Sequence, residues 1–233
     1  FLKDFSGVCV TDGCQVYHTI EEEREDLRTA GCWSHARRRF DEAVKALPKA
    51  KQKESRAYLA LTMIQAVYRE EKQLKDLPAE ERKNRRQLSV KPLVEAYFTW
   101  VRENLPKVPQ KSKTWEGFNY SLNQEKYLKV FLDDGEVPMD NNAAEQSIRG
   151  FCIGKKNWVM IDTIAGAKSS AIIYSIAETA KANNLKPYDY FEFLLTEIPK
   201  HLDDTGRSFL DDLLPWSPSL PENCRKPDKN EMK

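Results

Sequence analysis

The chain reads as a helix-dominated α/β protein, and three observations carry that reading. Gly7-Val8-Cys9-Val10-Thr11 is a short β-branched run closed by Asp12-Gly13, the pattern of a buried strand ending in a turn. From Ser34 to about Leu105 apolar residues return every three or four positions (Phe40, Val44 and Leu47, then Tyr58, Leu61, Ile64, Ala66 and Tyr68), which is helical spacing. Thr163 can cap a helix over 165–183, and Pro187 opens another that runs to about Glu197.

Taken in order, residues 14–25 read as a short helix or loop that becomes acidic at Glu21-Glu22-Glu23, and Leu27 to Trp33 as a second short strand. Pro78 interrupts the long helical stretch and Pro92 opens its next helix at the first turn. Residues 104–113 read as a surface linker, and Trp115 to Phe131 as helix again, ending at Asp133-Asp134-Gly135. Residues 137–145 form a turn feeding a helix start, and 151–161 read as extended. After Leu214 the sequence is rich in Pro, Asn and Lys and reads as loose.

Composition bounds the rest. A chain of 233 residues is one large domain or two small ones, and five Trp, nine Tyr and ten Phe supply a core that excludes disorder throughout. No apolar run approaches the roughly 20 residues of a membrane span. Phe1-Leu2-Lys3-Asp4-Phe5 has neither the basic start nor the apolar stretch of a signal peptide. The chain opens without Met, as if inside an element already under way, so an amino-terminal truncation is expected. Five cysteines, an odd number with no CxxC pair, argue for a reducing compartment over a disulfide scaffold. Thirty-seven basic against thirty-six acidic residues give a net charge of +1, so a nucleic-acid role must rest on local patches.

Four places could carry chemistry. Asp12 lies just past a strand end, where ligands gather in α/β sheets, although Asp-Gly is also ordinary turn chemistry. Asp140-Asn141-Asn142-Ala143-Ala144-Glu145 could present Glu145 to a metal, or could be a capping box of Asn142 with Glu145 and a helix ion pair of Glu145 with Arg149. Cys32-Trp33-Ser34-His35 precedes Arg37-Arg38-Arg39; Cys and His at that spacing could share zinc, but three His and no second paired site leave the four-ligand set incomplete. Gly154-Lys155-Lys156-Asn157-Trp158 joins two lysines to a stacking side chain, suited to a nucleic-acid strand, and a basic turn with a core Trp fits the same residues. The stretch Glu80 to Lys91, with Arg82, Lys83, Arg85 and Arg86, is a further candidate phosphate patch.

In this order the motifs say more. TDG at 11–13, GCWSHARRRF at 31–40, MDNNAAEQSIR at 139–149, IGKKNW at 153–158, YSIAETAKANNLKPYDY at 174–190 and LLPWSPSLPENCR at 213–225 resemble the transposases of the IS66 insertion-sequence family. The resemblance runs from about Leu2 to Arg225. It implies a DDE nuclease with an RNase H-like core, here partial, interrupted by a large helical insertion. The implied organisation is partial core over 1–34, helical insertion over 35–135, core helix with the catalytic Glu and a basic segment over 136–173, the family's carboxy-terminal helical element over 174–225, and a loose tail over 226–233.

The resemblance also implies the chemistry: metal-dependent DNA cleavage and strand transfer at insertion-sequence ends. Asp12 matches the second catalytic Asp and Glu145 the catalytic Glu, both as metal ligands. Two Mg²⁺ (or Mn²⁺) ions are expected in the complete enzyme, and no zinc. Arg37, Arg38, Arg149, Lys155, Lys156 and Trp158 are the expected DNA-binding residues, with Cys32, His35, Asn141 and Asn142 as supports of the site. Double-stranded DNA is the implied partner, with a homo-oligomer in the transposition complex, no membrane, and a bacterial cytoplasmic, nucleoid-associated location. The family's opening strand and first Asp are expected before Phe1, and Asp4, in the run leading into the Asp12 strand, does not replace them. The family's usual Tyr after Asp-Gly is Cys14 here, while Tyr17 is retained. A core without its first three strands exposes an unpaired edge. With two of three carboxylates, the chain alone is expected to lack strand transfer. The alternative is a non-enzymatic transposase remnant that binds DNA or partner subunits.

Overall fold

The computed structural model describes residues 2–158, 161 and 163–227, with backbone alone over 155–158. It falls into two compact units, Phe1–Glu145 and Gln146–Lys233. Helices dominate both.

In the first unit, β1 (Gly7–Thr11) and β2 (Leu27–Gly31) pair in parallel, in a register that sets Gly7 against Leu27 and Thr11 against Gly31. Parallel neighbours need a crossover, and α1 (Gln15–Glu23) supplies it. Among the described residues this is a two-stranded sheet. The register places Asp12 and Cys32 side by side, just beyond its carboxyl edge.

Cys32 leads directly into α2 (Trp33–Lys45), whose Trp33, Ala36, Phe40, Ala43 and Val44 fall at helical spacing and are all buried. Around it pack α4 (Arg56–Gln73), α6 (Lys91–Asn104) and α7 (Lys113–Asn123), joined by the short α3 (Lys49–Gln52) and α5 (Ala79–Arg85). Ser55 and Ser112 cap α4 and α7 by accepting the Tyr58 and Trp115 N–H groups. Trp33 is the centre of the core. Its indole N–H donates to the Leu128 carbonyl at 2.8 Å, and its ring meets Tyr97, Phe98 and Phe131.

Two expectations change here. The helix foreseen over 115–131 is broken at Gln124 and Lys129 into α7, the one-turn α8 (Glu125–Leu128) and a 3₁₀ turn, Val130–Leu132. A π turn, Arg86–Val90, lies between α5 and α6. Its Arg86 is 1% exposed and paired with Glu71, and it donates to the carbonyls of Phe131, Asp134 and Val137. A buried guanidinium that satisfies three loop carbonyls explains why the helix widens there.

The helix α9 (Asn142–Trp158) begins at the end of the first unit. It overturns the extended reading of 151–158: Ile148 and Phe151 sit at i and i+3, and the ring of Phe151 meets Tyr174 edge-on with centroids 4.9 Å apart. Of the rest of that stretch, residues 159–160 lie outside the described residues.

The second unit contains α10 (Ile164–Ala182), capped by Thr163 as foreseen, then α11 (Pro187–Glu197) and the one-turn α12 (Leu210–Leu213). Asn184 adopts φ +58° and ends α10 in a Schellman turn, with the Leu185 N–H on the Ala180 carbonyl at 2.9 Å and the Asn184 N–H on that of Lys181 at 3.2 Å. The sequence after Leu214 is not loose over its described part. Leu185 bridges to Arg225, Lys186 N–H donates to Cys224, and the Tyr190 hydroxyl donates to the Leu213 carbonyl at 2.6 Å. Pro-rich segments need such backbone partners because they carry few of their own.

Candidate functional site

The site is organised by the first two turns of α2. On one side lies the turn after β1. Asp12 is exposed, and its Oδ1 accepts the Cys14 N–H at 3.1 Å, closing an Asx turn that starts α1. Gly13 has φ +83°, and a Cβ there would stand 2.9 Å from the Gln124 side-chain oxygen. The positive φ is what favours glycine there, since the Gln124 side-chain tip can move aside. The Tyr120 hydroxyl donates to the Asp12 carbonyl at 3.0 Å, and Arg39 lies over the Tyr120 ring at 4.2 Å. Burial pushes the Tyr120 phenol up to about 12, with Arg39 opposing and Cys32 and Asp12 reinforcing the shift.

On the other side lies the start of α9. Glu145 Oε1 stands 3.5 Å from His35 Nε2, and Oε2 stands 4.0 Å from an Arg38 guanidinium nitrogen. The foreseen capping box is replaced. The helix begins at Asn142, whose N–H is accepted by Asp140 Oδ1 at 3.1 Å, and Glu145 turns toward α2 instead of Arg149. Asp140 Oδ2 accepts the Tyr68 hydroxyl at 2.9 Å. Burial, then the Asp140 charge, raises the Tyr68 phenol far above its ordinary value.

Between the two sides sits Cys32. It is fully buried, and burial pushes its thiol up, while the N–H groups of Asn141, His35 and Ser34 face the sulfur and act the other way. His35 Nδ1, Gln124 Oε1 and Asn141 Oδ1 are buried without a protein partner. Unpaired buried polar atoms are uncommon in folded proteins.

The structure thus brings Asp12, Cys32, His35, Arg38, Asn141 and Glu145 around α2, and sets Arg37 and Asn142 on a cleft with Ser34, Gln65 and Tyr68. Arg149 is exposed on α9, in the second unit. The side chains of Lys155, Lys156 and Trp158 lie outside the described residues. The phosphate patch over 80–91 is corrected in part. Arg82 is spent on the carbonyls of Leu74, Lys75, Leu77 and Gly135, and Arg86 is buried. The Tyr68–Asp140 and Tyr120–Asp12 contacts join residues 72 and 108 positions apart, which no local sequence pattern records.

Two exposed carboxylates offer hard oxygen ligands. Among the described residues, however, no group of three or more His, Cys, Asp and Glu is placed to hold a metal ion. Asp12 and Glu145 alone do not fit a two-ion centre.

Residues 1–169 match the transposase IS66 family, and residues 175–216 match the IS66 C-terminal element. The chain belongs to the IS66 transposase family. Among curated proteins it is similar to the uncharacterized proteins y4jD and y4qI of Sinorhizobium fredii (strain NBRC 101917 / NGR234). It is 29% identical to the first over 221 residues (93% of this chain, 42% of the relative), and 29% identical to the second over 222 residues (93% and 40%). The chain therefore spans about two fifths of the length of the relatives it matches. No solved structure matches it. No described helix is long and apolar enough to cross a membrane.

Proposed function

We propose that the chain is a catalytic portion of a DDE transposase that cuts and rejoins DNA at insertion-sequence ends, with Asp12 and Glu145 as two of its three carboxylates. The observation that carries this reading is the placement of α2: its His35 and Arg38 face Glu145, and its Arg39 lies over the ring of Tyr120 on α7, whose hydroxyl donates to the Asp12 carbonyl. A parallel strand pair with an Asp just past its edge, followed by a Glu on a later helix, also fits a partial RNase H-like core. The match to the IS66 family model supports the same reading.

The reaction exchanges phosphodiester bonds. Water attacks the phosphorus at the insertion end, the 3′-oxygen leaves and takes a proton, and the freed 3′-hydroxyl then attacks a target phosphodiester. One P–O bond forms as one breaks, and nothing is oxidised. In the complete enzyme Asp12 and Glu145 would be two of the groups that hold a divalent ion, Mg²⁺ or Mn²⁺, which would supply Lewis-acid chemistry at the phosphate. With Asp12 and Glu145 as two of the three carboxylates, the chain by itself is proposed to lack strand transfer. Arg37 and Arg38 take DNA phosphates beside the carboxylates, and His35 with Arg38 holds Glu145 in place. Arg149, Lys155, Lys156 and Trp158 extend the DNA contact. The complete enzyme works as an oligomer on chromosomal DNA in the bacterial cytoplasm.

A second reading is a non-enzymatic transposase remnant that keeps the contact with DNA or partner subunits without the chemistry. The test that separates them pairs Asp12→Ala with Glu145→Ala in a polypeptide carrying the whole catalytic core. In a transposase each abolishes metal-dependent cleavage and leaves DNA affinity the same or slightly higher. In a binding module each changes little.

A further inference from the structure

The helices of the first unit have two ends, and only one of them takes part in the chemistry above. Trp33 at the start of α2 donates to Leu128, Arg39 lies over Tyr120, and Phe40 meets Phe118 with ring centroids 5.6 Å apart, so α2 and α7 run antiparallel. Tyr68, late in α4, bonds Asp140, and the Trp33 N–H donates to the Met139 carbonyl. The start of α2 and the end of α4 therefore lie beside the turn that leads to Glu145. At the opposite end the Arg56 guanidinium donates to the Asn104 side-chain oxygen at 3.2 Å, joining the first residue of α4 to the last of α6. Two stretches far apart in sequence meet there: residues 45–56, which pass from α2 through α3 into α4, and residues 104–113, which join α6 to α7.

Both stretches are basic. Residues 45–56 carry five basic side chains and one acidic, a net +4, and residues 104–113 carry three basic and none acidic, a net +3, whereas the whole chain nets +1. A single basic run is commonly just a solvated helix face; here two runs converge on one end of a chain that is otherwise net acidic. Asp41 and Glu116 pair with Lys45 and Lys113 at the border of this end. Its interior, Lys49, Lys51, Lys53, Lys107 and Lys111, is exposed. Lys111 also stands at φ +62°, a left-handed conformation in which glycine would be less strained, and the loop nonetheless carries a lysine there.

Like charges gathered at one end repel one another, and a polyanion relieves that repulsion while its own counterions are released. Neither stretch contains an aromatic residue on which an unpaired base could stack, so the surface suits the backbone of a duplex over a single strand. We infer that this basic end of the first unit is a second contact for duplex DNA, one that grips phosphates without reading sequence. The 13 residues of α2, about 20 Å of helix, separate it from the Glu145 end, which corresponds to about six base pairs of duplex. The inference rests on the transposase reading for its choice of DNA.

The test is fluorescence anisotropy of the 233-residue chain on two labelled duplexes of unrelated sequence, across a salt series. The triple variant Lys49→Gln, Lys51→Gln, Lys53→Gln should lower the slope of log affinity against log salt by about two to three on both duplexes, and Lys107→Gln with Lys111→Gln by about one to two. Lys83→Gln with Lys91→Gln, which removes the same charge as the double variant from outside both stretches, should change the slope little. All the substituted lysines are at least partly exposed, and circular dichroism checks that each variant keeps the fold. Slopes that the 49–53 and 107–111 variants leave unchanged, or an equal fall in the 83/91 variant, overturn the inference. So does an effect confined to one duplex, since phosphate contacts are independent of sequence, or failure to bind either duplex. In each case the transposase reading is judged separately, by whether Asp12→Ala and Glu145→Ala abolish cleavage.

Discussion

His35 on α2 and Glu145 on α9 face each other, Nε2 to Oε1 at 3.5 Å, across residues 110 positions apart in the chain. Arg38, one turn further along α2, reaches the other carboxylate oxygen at 4.0 Å. A carboxylate held against an exposed arginine row would repel any DNA phosphate drawn to that row. Removing its charge should therefore tighten DNA binding. Glu145→Gln is expected to gain up to about 1 kcal/mol at low salt, the scale of one charge interaction through water, and the gain should fade as salt screens it. Fluorescence anisotropy across a salt series checks this, and weaker binding by the variant would contradict it.

The buried Arg86–Glu71 pair makes a second prediction. Arg86 donates to three carbonyls as well as to Glu71, so truncating it strands four acceptors inside the protein. Arg86→Met should cost about 3–5 kcal/mol by urea unfolding, and Arg86→Lys should recover little because an ammonium lacks the planar fork. Full stability in Arg86→Lys would show that charge alone matters there.

Gly135 predicts a backbone clash. A Cβ at that position would lie 1.8 Å from the Ala79 carbonyl oxygen, which cannot swing aside as a side chain can. Gly135→Ala should cost at least the roughly 1–3 kcal/mol of ordinary overpacking. Thermal unfolding reads the loss.

These two sites also mark what the sequence could not convey. Arg86 sits in a run of basic residues that reads as a phosphate patch, and only the fold reveals its carbonyl partners 45 to 51 residues away. The elements with local signals were legible. β1, β2, the Thr163 cap and the Pro187 start all stand where the pattern puts them, because each depends on a few adjacent residues. The reading of 151–158 as extended failed because Ile153 and the neighbouring apolar residues suggest a strand, while the Phe151–Tyr174 contact that favours a helix is not local. Asp12 and Glu145 were legible by resemblance; their connection through α2, with Tyr120 and Arg39, was not.

His201 in the second unit gives a pH prediction. Its ring contacts Asp204 at 2.7 Å and Glu197 at 3.3 Å, and chiefly the Asp204 hydrogen bond raises its pKa above the ordinary value, with desolvation opposing and Glu197 adding to the rise. A pKa raised on folding stabilises the protein at pH below the unfolded histidine value, and that contribution is lost as pH rises through the folded value. The advantage of wild type over His201→Ala in melting temperature should therefore be present in mild acid and disappear toward alkaline pH. An advantage that grows with pH would contradict the assignment.

Thiol reactivity offers a check on the packing. Cys14 and Cys152 are exposed, whereas Cys32 and Cys224 are buried with thiols pushed up chiefly by that burial. Iodoacetamide should label Cys14 and Cys152 in the native state, and Cys32 and Cys224 only on unfolding. Native labelling of Cys32 would mean that α2 does not seat as described.

The central claim is that Asp12 and Glu145 belong to one catalytic centre. Its most direct test is Mg²⁺-dependent cleavage of insertion-end DNA by a polypeptide carrying the whole catalytic core, with Asp12→Ala and Glu145→Ala made separately. The account predicts that each variant binds the DNA at least as tightly as wild type does and cleaves none of it. Cleavage by either variant at the wild-type rate would contradict it.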